Sequence, residues 1–191
     1  MKKIIRSLFL ILILLTLGCA KKFVPSDSVF INKDFDFSII KRVAVLPFEN
    51  LTEDRNAGDI IRYMVFNEIQ KFIETVPLGD VEKFLRQKNI QKINELTKED
   101  LTSLAHTLKV DALVTGHVYK YGESRTGTIN LPEVAFSLVI IEPEEGSIIF
   151  GVTKSGRSDS FLAKHFGVGI NTVNQLALKL VKEAVDELSK L

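Results

Sequence analysis

The sequence predicts an α/β domain with a single mixed β-sheet of about five strands, covered by about four helices in two or three layers. Three observations predict this class. A valine-rich apolar run opens the body of the chain, segments with a helical apolar period alternate with strands in its first half, and alternating strands follow one another later. At 191 residues, 46% of them hydrophobic, the chain can bury a substantial core within one domain.

The first half of the domain is predicted to alternate strands with helices. Residues 42–48 form a nearly continuous apolar run that contains a proline, which is typical of a strand buried on both faces. A short strand follows at 75–78, where Pro77 favours an edge position. Three helices have apolar residues at three- and four-residue steps, and each begins at a residue suited to capping a helix: Asn56, Asp80 and Thr97.

The second half is predicted to consist mainly of strands. Residues 112–121 alternate, which places Leu113, Thr115, His117, Tyr119 and Tyr121 on one face, while Gly116 on the other face allows close packing. The polar residues 122–131 predict a loop. Two strands, 134–141 and 147–153, then flank a hairpin turn in which Gly146 supplies a positive φ. A final helix is expected to begin at Asn171 or Thr172 and to run to the C-terminus.

The N-terminus has the three-part layout of a secretory signal peptide. Lys2, Lys3 and Arg6 supply the charged region, and residues 8–15 are an unbroken apolar run. This run is much shorter than the ~20 apolar residues of a membrane-spanning helix.

Residues 15–19 (LTLGC) resemble the lipobox of bacterial lipoproteins, although Thr16 stands where the strongest versions carry leucine. The resemblance implies cleavage between Gly18 and Cys19, attachment of a diacylglycerol to the Cys19 thiol, and acylation of the new α-amine by a fatty acid such as palmitate. Ala20, in place of the aspartate that retains lipoproteins at the inner membrane, implies delivery to the outer membrane, facing the periplasm. The alternative is an ordinary signal peptide followed by an unmodified cysteine.

These signals divide the chain into a lipoprotein signal peptide (1–18), a lipidated N-terminus and tether (19–38), and an α/β periplasmic domain (39–191). The tether contains Phe30, Phe35 and Phe37, which are unusual in a free linker. We therefore expect its second half to pack against the domain.

Charge and motif content exclude several classes of function. Lys and Arg number 25 and Asp and Glu 24, so a strongly basic nucleic-acid-binding protein is excluded. Cys19 is the only cysteine, which excludes an internal disulfide, and the histidines lack the HExxH spacing of zinc proteases. Gly167 and Gly169 precede the last helix, but the third position of a dinucleotide fingerprint is Thr172. We expect no enzyme, metal or cofactor. One polar patch, a candidate partner site, remains: Arg157, Asp159, Lys164 and His165.

Two segments resemble a known group of proteins. Residues 43–50 (VAVLPFEN) and 108–118 (LKVDALVTGHV) are similar to the periplasmic CsgG, LpoB and TolB-N-terminal-like lipoprotein domains, and the resemblance extends over about residues 40–190. It implies an α/β fold and a non-enzymatic role through protein contacts in envelope assembly, secretion or cell-wall synthesis.

Two other functions stay open at this stage. CsgG-type relatives form oligomeric secretion channels through hairpins that cross the outer membrane. Here the candidate strands 112–121, 133–141 and 147–153 are apolar on both sides or too short, and the sheet requires them, so we expect these inserts to be missing. The third function is a small-ligand or peptidoglycan-binding module that uses the loops at 122–132 and 154–169.

Overall fold

A computed structural model describes residues 27–126, 129–158 and 172–191. It confirms a mixed α/β fold with one sheet, which has seven strands instead of the predicted five. The strands are β1 (Ser28–Ile31), β2 (Arg42–Val45), β3 (Glu49–Asn50), β4 (Glu74–Thr75), β5 (Ala112–Thr126), β6 (Ile129–Glu142) and β7 (Ser147–Arg157). The four α-helices of the described residues are α1 (Ala57–Ile69), α2 (Leu78–Gln87), α3 (Lys98–Leu108) and α4 (Val173–Leu188). Among these residues, the helices are too short or too polar to cross a bilayer.

The sheet has the order β1-β7-β6-β5-β2-β4, and β3 also pairs with β5. Strands β2 and β3 run parallel to β5, whereas β5, β6, β7 and β1 form an antiparallel series. The two additional strands have simple causes. Pro47 has no N–H to donate to the ladder, so the predicted strand 42–48 ends at Val45 and pairing resumes as β3. The second half of the tether packs onto β7 as β1, as expected.

Helices cover both faces of the sheet where β2 and β5 lie. Helices α1 and α4 pack on one face, over a core that extends across β2, β5, β6 and β7. Helices α2 and α3 pack on the other face, against Ala44, Leu46 and Leu113. The domain therefore has three layers around β2 and β5.

The helix starts agree only in part with the predicted caps. Thr97 forms a capping box with Asp100, and the Thr172 hydroxyl accepts the backbone N–H of Gln175, so these two starts are confirmed. The start at Asn56 is also right, since α1 begins directly after it, but the Asn56 side chain makes no capping hydrogen bond. The prediction for Asp80 is wrong, because α2 begins directly after Pro77, which leaves Asp80 within its first turn.

The predicted loop at 122–131 is also wrong. Strands β5 and β6 are 15 and 14 residues long, and their pairing continues from Gly122↔Glu133 to Thr126↔Ile129. A hairpin that extends beyond the core leaves many side chains in solvent, so polar residues are compatible with it. The length of these strands therefore no longer supports the expectation that channel inserts are missing.

An irregularity in β5 changes which side chains share a face. The register shifts between Val118 and Lys120, so Tyr119 is an extra residue without a partner of its own. Tyr121 consequently lies with Val118 in the core under α4, not on the face of His117 where strict alternation placed it. The predicted turn at 142–146 is confirmed, with Gly146 at φ +70°.

Candidate binding face

One side of the antiparallel half of the sheet carries a row of polar side chains. Successive strand pairings place five residues side by side from β3 to β1: Glu49, His117, Ser137, Thr153 and Ser28. All five lie on the side opposite α1 and α4. We call this surface, together with Tyr119, the open face.

The open face exists because α2 and α3 reach only one end of this side of the sheet. They cover Leu113 and Ile141, one end of β5 and β6. Farther from these helices, Ser137 of β6 is buried, His117 of β5 and Thr153 of β7 are only partly buried, and Ser28 at the sheet edge is exposed.

His117 is the centre of the polar row. Its Nε2 atom lies 3.0 Å from Oε2 of Glu49, and both side chains are partly open to solvent. The imidazole ring stacks on Tyr119, with ring centroids 6.0 Å apart and planes 16° apart. The Tyr119 hydroxyl in turn lies 3.2 Å from the Ser137 hydroxyl. The face thus combines two stacked rings with hydroxyl groups and a carboxylate, which suits contacts to a polar partner.

A more apolar row lies beside the polar one. Val139, Gly151 and Phe30 are in register across β6, β7 and β1. They border a shallow groove of about 400 Å³ that Ile148 also lines. Gly151 has no side chain, so the groove is open between Val139 and Phe30; a Cβ atom on Gly151 would lie 3.7 Å from Cγ1 of Val139 and 3.8 Å from Cβ of Phe30.

A second concavity, of about 650 Å³, lies between the segment after β3 and the bulged part of β5. Tyr121 forms part of its wall and donates a hydrogen bond from its hydroxyl to Oδ1 of Asn174, in the first turn of α4. Burial, with a smaller contribution from the negative charge of Asp54, raises the pKa of Tyr121 above its ordinary value.

This pKa shift predicts a loss of stability at high pH. A phenol whose pKa is raised by folding stabilises the fold fully below its unfolded pKa of about 10, and this contribution is lost as the pH rises through the folded value. Tyr121→Phe removes the ionisable group and the Asn174 bond, at a cost of about 1 kcal/mol near pH 8. Urea unfolding should show that this cost shrinks near pH 11, whereas Tyr63→Phe, an exposed control, should show no such change. A constant cost at both pH values would contradict the prediction.

Only one residue of the partner patch predicted from the sequence, Arg157, lies within the described ranges. Arg157, at the end of β7, pairs with Glu133 across the strands at 3.2 Å. Asp159, Lys164 and His165 lie outside the described residues, as do the glycines at 167 and 169, Gly18 and Cys19.

Sequence reasoning missed the polar row, although a signal was present. His117, Ser137 and Thr153 are polar residues within otherwise apolar strands. Their alignment became apparent only from the register. Within the described ranges, no group of three or more His, Cys, Asp or Glu side chains is arranged to hold a metal ion.

Comparison with known proteins gives a fold but no family. No family model matches the sequence, and no curated protein matches it. Solved structures do match. PelC from Paraburkholderia phytofirmans, described as a dodecamer, is 14% identical and superimposes with a TM-score of 0.58 over 85% of this chain and 96% of that chain.

Two further structures share the fold. Lipoprotein GNA1162 from Neisseria meningitidis is 18% identical, with a TM-score of 0.57 over 79% of this chain and 99% of that chain. The hypothetical protein CT253 from Chlamydia trachomatis is 12% identical, with a TM-score of 0.51 over 78% of this chain and 95% of that chain. The chain thus has a fold that a bacterial lipoprotein also adopts.

Proposed function

We propose that this chain is an outer-membrane lipoprotein of the CsgG, LpoB and TolB-N-terminal-like group. Its domain faces the periplasm and acts as a non-enzymatic scaffold or accessory factor in envelope assembly, secretion or cell-wall synthesis. The observation that carries the proposal is the segment 15–19 (LTLGC), in which the only cysteine of the chain directly follows a signal-like apolar run. The fold shared with a bacterial lipoprotein supports it.

The start of the domain supports action close to a membrane. Strand β1 begins at Ser28, nine residues after the proposed lipidated cysteine, and nine extended residues span at most about 30 Å. A diacylglycerol with a further acyl chain anchors stably. The domain would therefore stay near the bilayer, which raises its effective concentration for a partner in the same membrane.

The contacts on the open face support a binding role over a catalytic one. A serine hydrolase joins its nucleophile to a base by a hydrogen bond. Here the hydroxyl of Ser137 contacts Tyr119 and the imidazole of His117 contacts Glu49, so each has a different partner. The same groups can form hydrogen bonds and ring contacts with a protein surface.

Two alternatives each have one observation in their favour. An oligomeric component of a CsgG-like secretion channel is favoured by the similarity to PelC, which is described as a dodecamer. A small-ligand or peptidoglycan-binding module is favoured by the 650 Å³ concavity beside β5.

The test starts from protein extracted by detergent from native membranes. Intact mass should show cleavage before Cys19 and the added lipid, and cross-linking before extraction should recover an envelope protein with the chain. An unmodified Cys19 would refute the anchor. A ring of many subunits without another protein would favour the channel, and a thermal shift with glycan fragments would favour the ligand module.

A substitution on the open face sharpens this test. We expect Thr153→Arg to reduce recovery of the partner several-fold, because it adds a bulky charge to the polar row. Tyr63→Arg is the matched control, since Tyr63 is exposed on α1, on the opposite side of the sheet. Equal recovery with both variants, at equal thermal stability, would show that the partner does not use the open face.

A further inference from the structure

Four apolar side chains are exposed together at one edge of the sheet. Val29, Phe30 and Ile31 of β1 and Ile148 of β7 keep 46%, 54%, 39% and 48% of their surface accessible. We call these four residues the apolar corner. Side chains of a strand alternate between two faces, and an edge strand normally buries one of them. All four residues of β1 are exposed, which is unusual for a strand of this composition.

The apolar corner is the part of the domain nearest to the proposed lipid anchor. Strand β1 is an outermost strand of the sheet and the first element of the described residues. Nine extended residues hold it within about 30 Å of Cys19. The corner therefore cannot move far from the membrane, whatever the orientation of the domain.

The charge of the stretch between Cys19 and β1 also suits a lipid surface. It has two lysines, Lys21 and Lys22, against one acid, Asp27, whereas after β1 Lys33 is offset by Asp34 and Asp36. Basic residues beside exposed apolar side chains are typical of segments that lie in the headgroup region of anionic bilayers. Asp27 is itself engaged, because it accepts the backbone N–H of Ser155 at 2.8 Å.

We propose that the apolar corner rests on the surface of the bilayer that holds the lipid of Cys19. This inference depends on the proposed anchor and adds an orientation to it. The β1 edge of the sheet would face the membrane, and the β4 edge, at the other end of the strand order, would face the periplasm.

The experiment compares two exposed phenylalanines at opposite edges. Phe30 belongs to the apolar corner, and Phe72, 43% exposed, lies just before β4. In the lipidated full chain Cys19 is blocked by lipid, so Phe30→Cys and Phe72→Cys each introduce the only free thiol. An environment-sensitive fluorophore is attached there, and the protein is reconstituted into phosphatidylethanolamine–phosphatidylglycerol vesicles. Ile148→Cys is a second reporter on β7, in case substitution in β1 loosens that strand.

We expect a blue shift at residues 30 and 148, and loss of emission there when the lipids carry brominated acyl chains, with neither change at residue 72. Probes at 30 and 148 that stay accessible to aqueous iodide would overturn the inference. Shielding at these sites without quenching by brominated lipid would show a protein contact and would also overturn it. An unmodified Cys19 in the intact mass refutes the anchor and this inference together, whereas a lipidated protein with water-exposed probes refutes this inference alone.

Discussion

A Gly116→Ala variant is expected to lose at least about 3 kcal/mol of unfolding free energy, a large part of the about 5–15 kcal/mol typical of a domain. A Cβ atom at this position would lie 1.9 Å from the backbone oxygen of Ser137 and 2.7 Å from Cε1 of Phe48. The Ser137 oxygen belongs to β6, the partner strand of β5. It cannot withdraw without disturbing the ladder, and Phe48 is itself in the core.

Gly79→Ala is the matched control for this prediction. Gly79 lies in the first turn of α2, and its Cβ would meet no atom within 4 Å. Alanine has the higher helix propensity, so the stability of this variant should stay equal or rise slightly. Urea unfolding of both variants measures the difference. A Gly116→Ala variant whose free energy of unfolding lies within about 1 kcal/mol of the wild-type value would contradict the prediction. It would mean that β5 and β6 move apart more easily than a closely packed sheet should allow.

Local signals predicted many of the elements correctly. Thr97 and Thr172 cap helices because the capping hydrogen bond involves only residues three positions away. The buried strand β2 was predicted from its apolar composition, and the turn at Gly146 from the positive φ that glycine tolerates. Both signals are local. Such features can be inferred without knowing which strands pair.

Features that depend on pairing could not be predicted in this way. The extra residue at Tyr119 reverses the alternation of β5, and this is visible only against β6. Residues 122–126 and 129–132 were predicted to be a loop because they are largely polar. They form strands because they pair with each other, which their own sequences do not show.

The candidate site was missed for the same reason. Glu49, His117 and Thr153 are far apart in sequence, and only the register of three strand pairs aligns them. The anchor, by contrast, rests entirely on a local motif around Cys19. The two halves of the proposed function therefore have different kinds of support, one from sequence and one from topology.

Arg62 was also missed, because a charged residue on a helix is usually exposed. Its side chain is 7% accessible and pairs with Glu82 of α2. It also donates to the backbone oxygen of Val45 from Nε at 3.2 Å and from Nη2 at 2.9 Å. The Arg62 guanidinium therefore connects α1 to the end of β2 and to α2. The two helices pack on opposite faces of the sheet.

Arg62→Met is expected to lower the unfolding free energy by about 3 kcal/mol. The variant keeps most of the side-chain volume but leaves the Val45 carbonyl without its donors and Glu82 without its partner. Glu82→Gln should cost less, about 1 kcal/mol, because Glu82 is 38% accessible and water can replace part of the interaction. The loss of unfolding free energy for Arg62→Lys should lie between those of Arg62→Met and Glu82→Gln, since a single ammonium group cannot reproduce the several donors of the guanidinium. Urea unfolding of the two single variants and the double variant gives the coupling energy. Additive losses would show that Arg62 acts through Val45 alone, and a neutral Arg62→Met would show that packing, not the guanidinium, holds the three elements together.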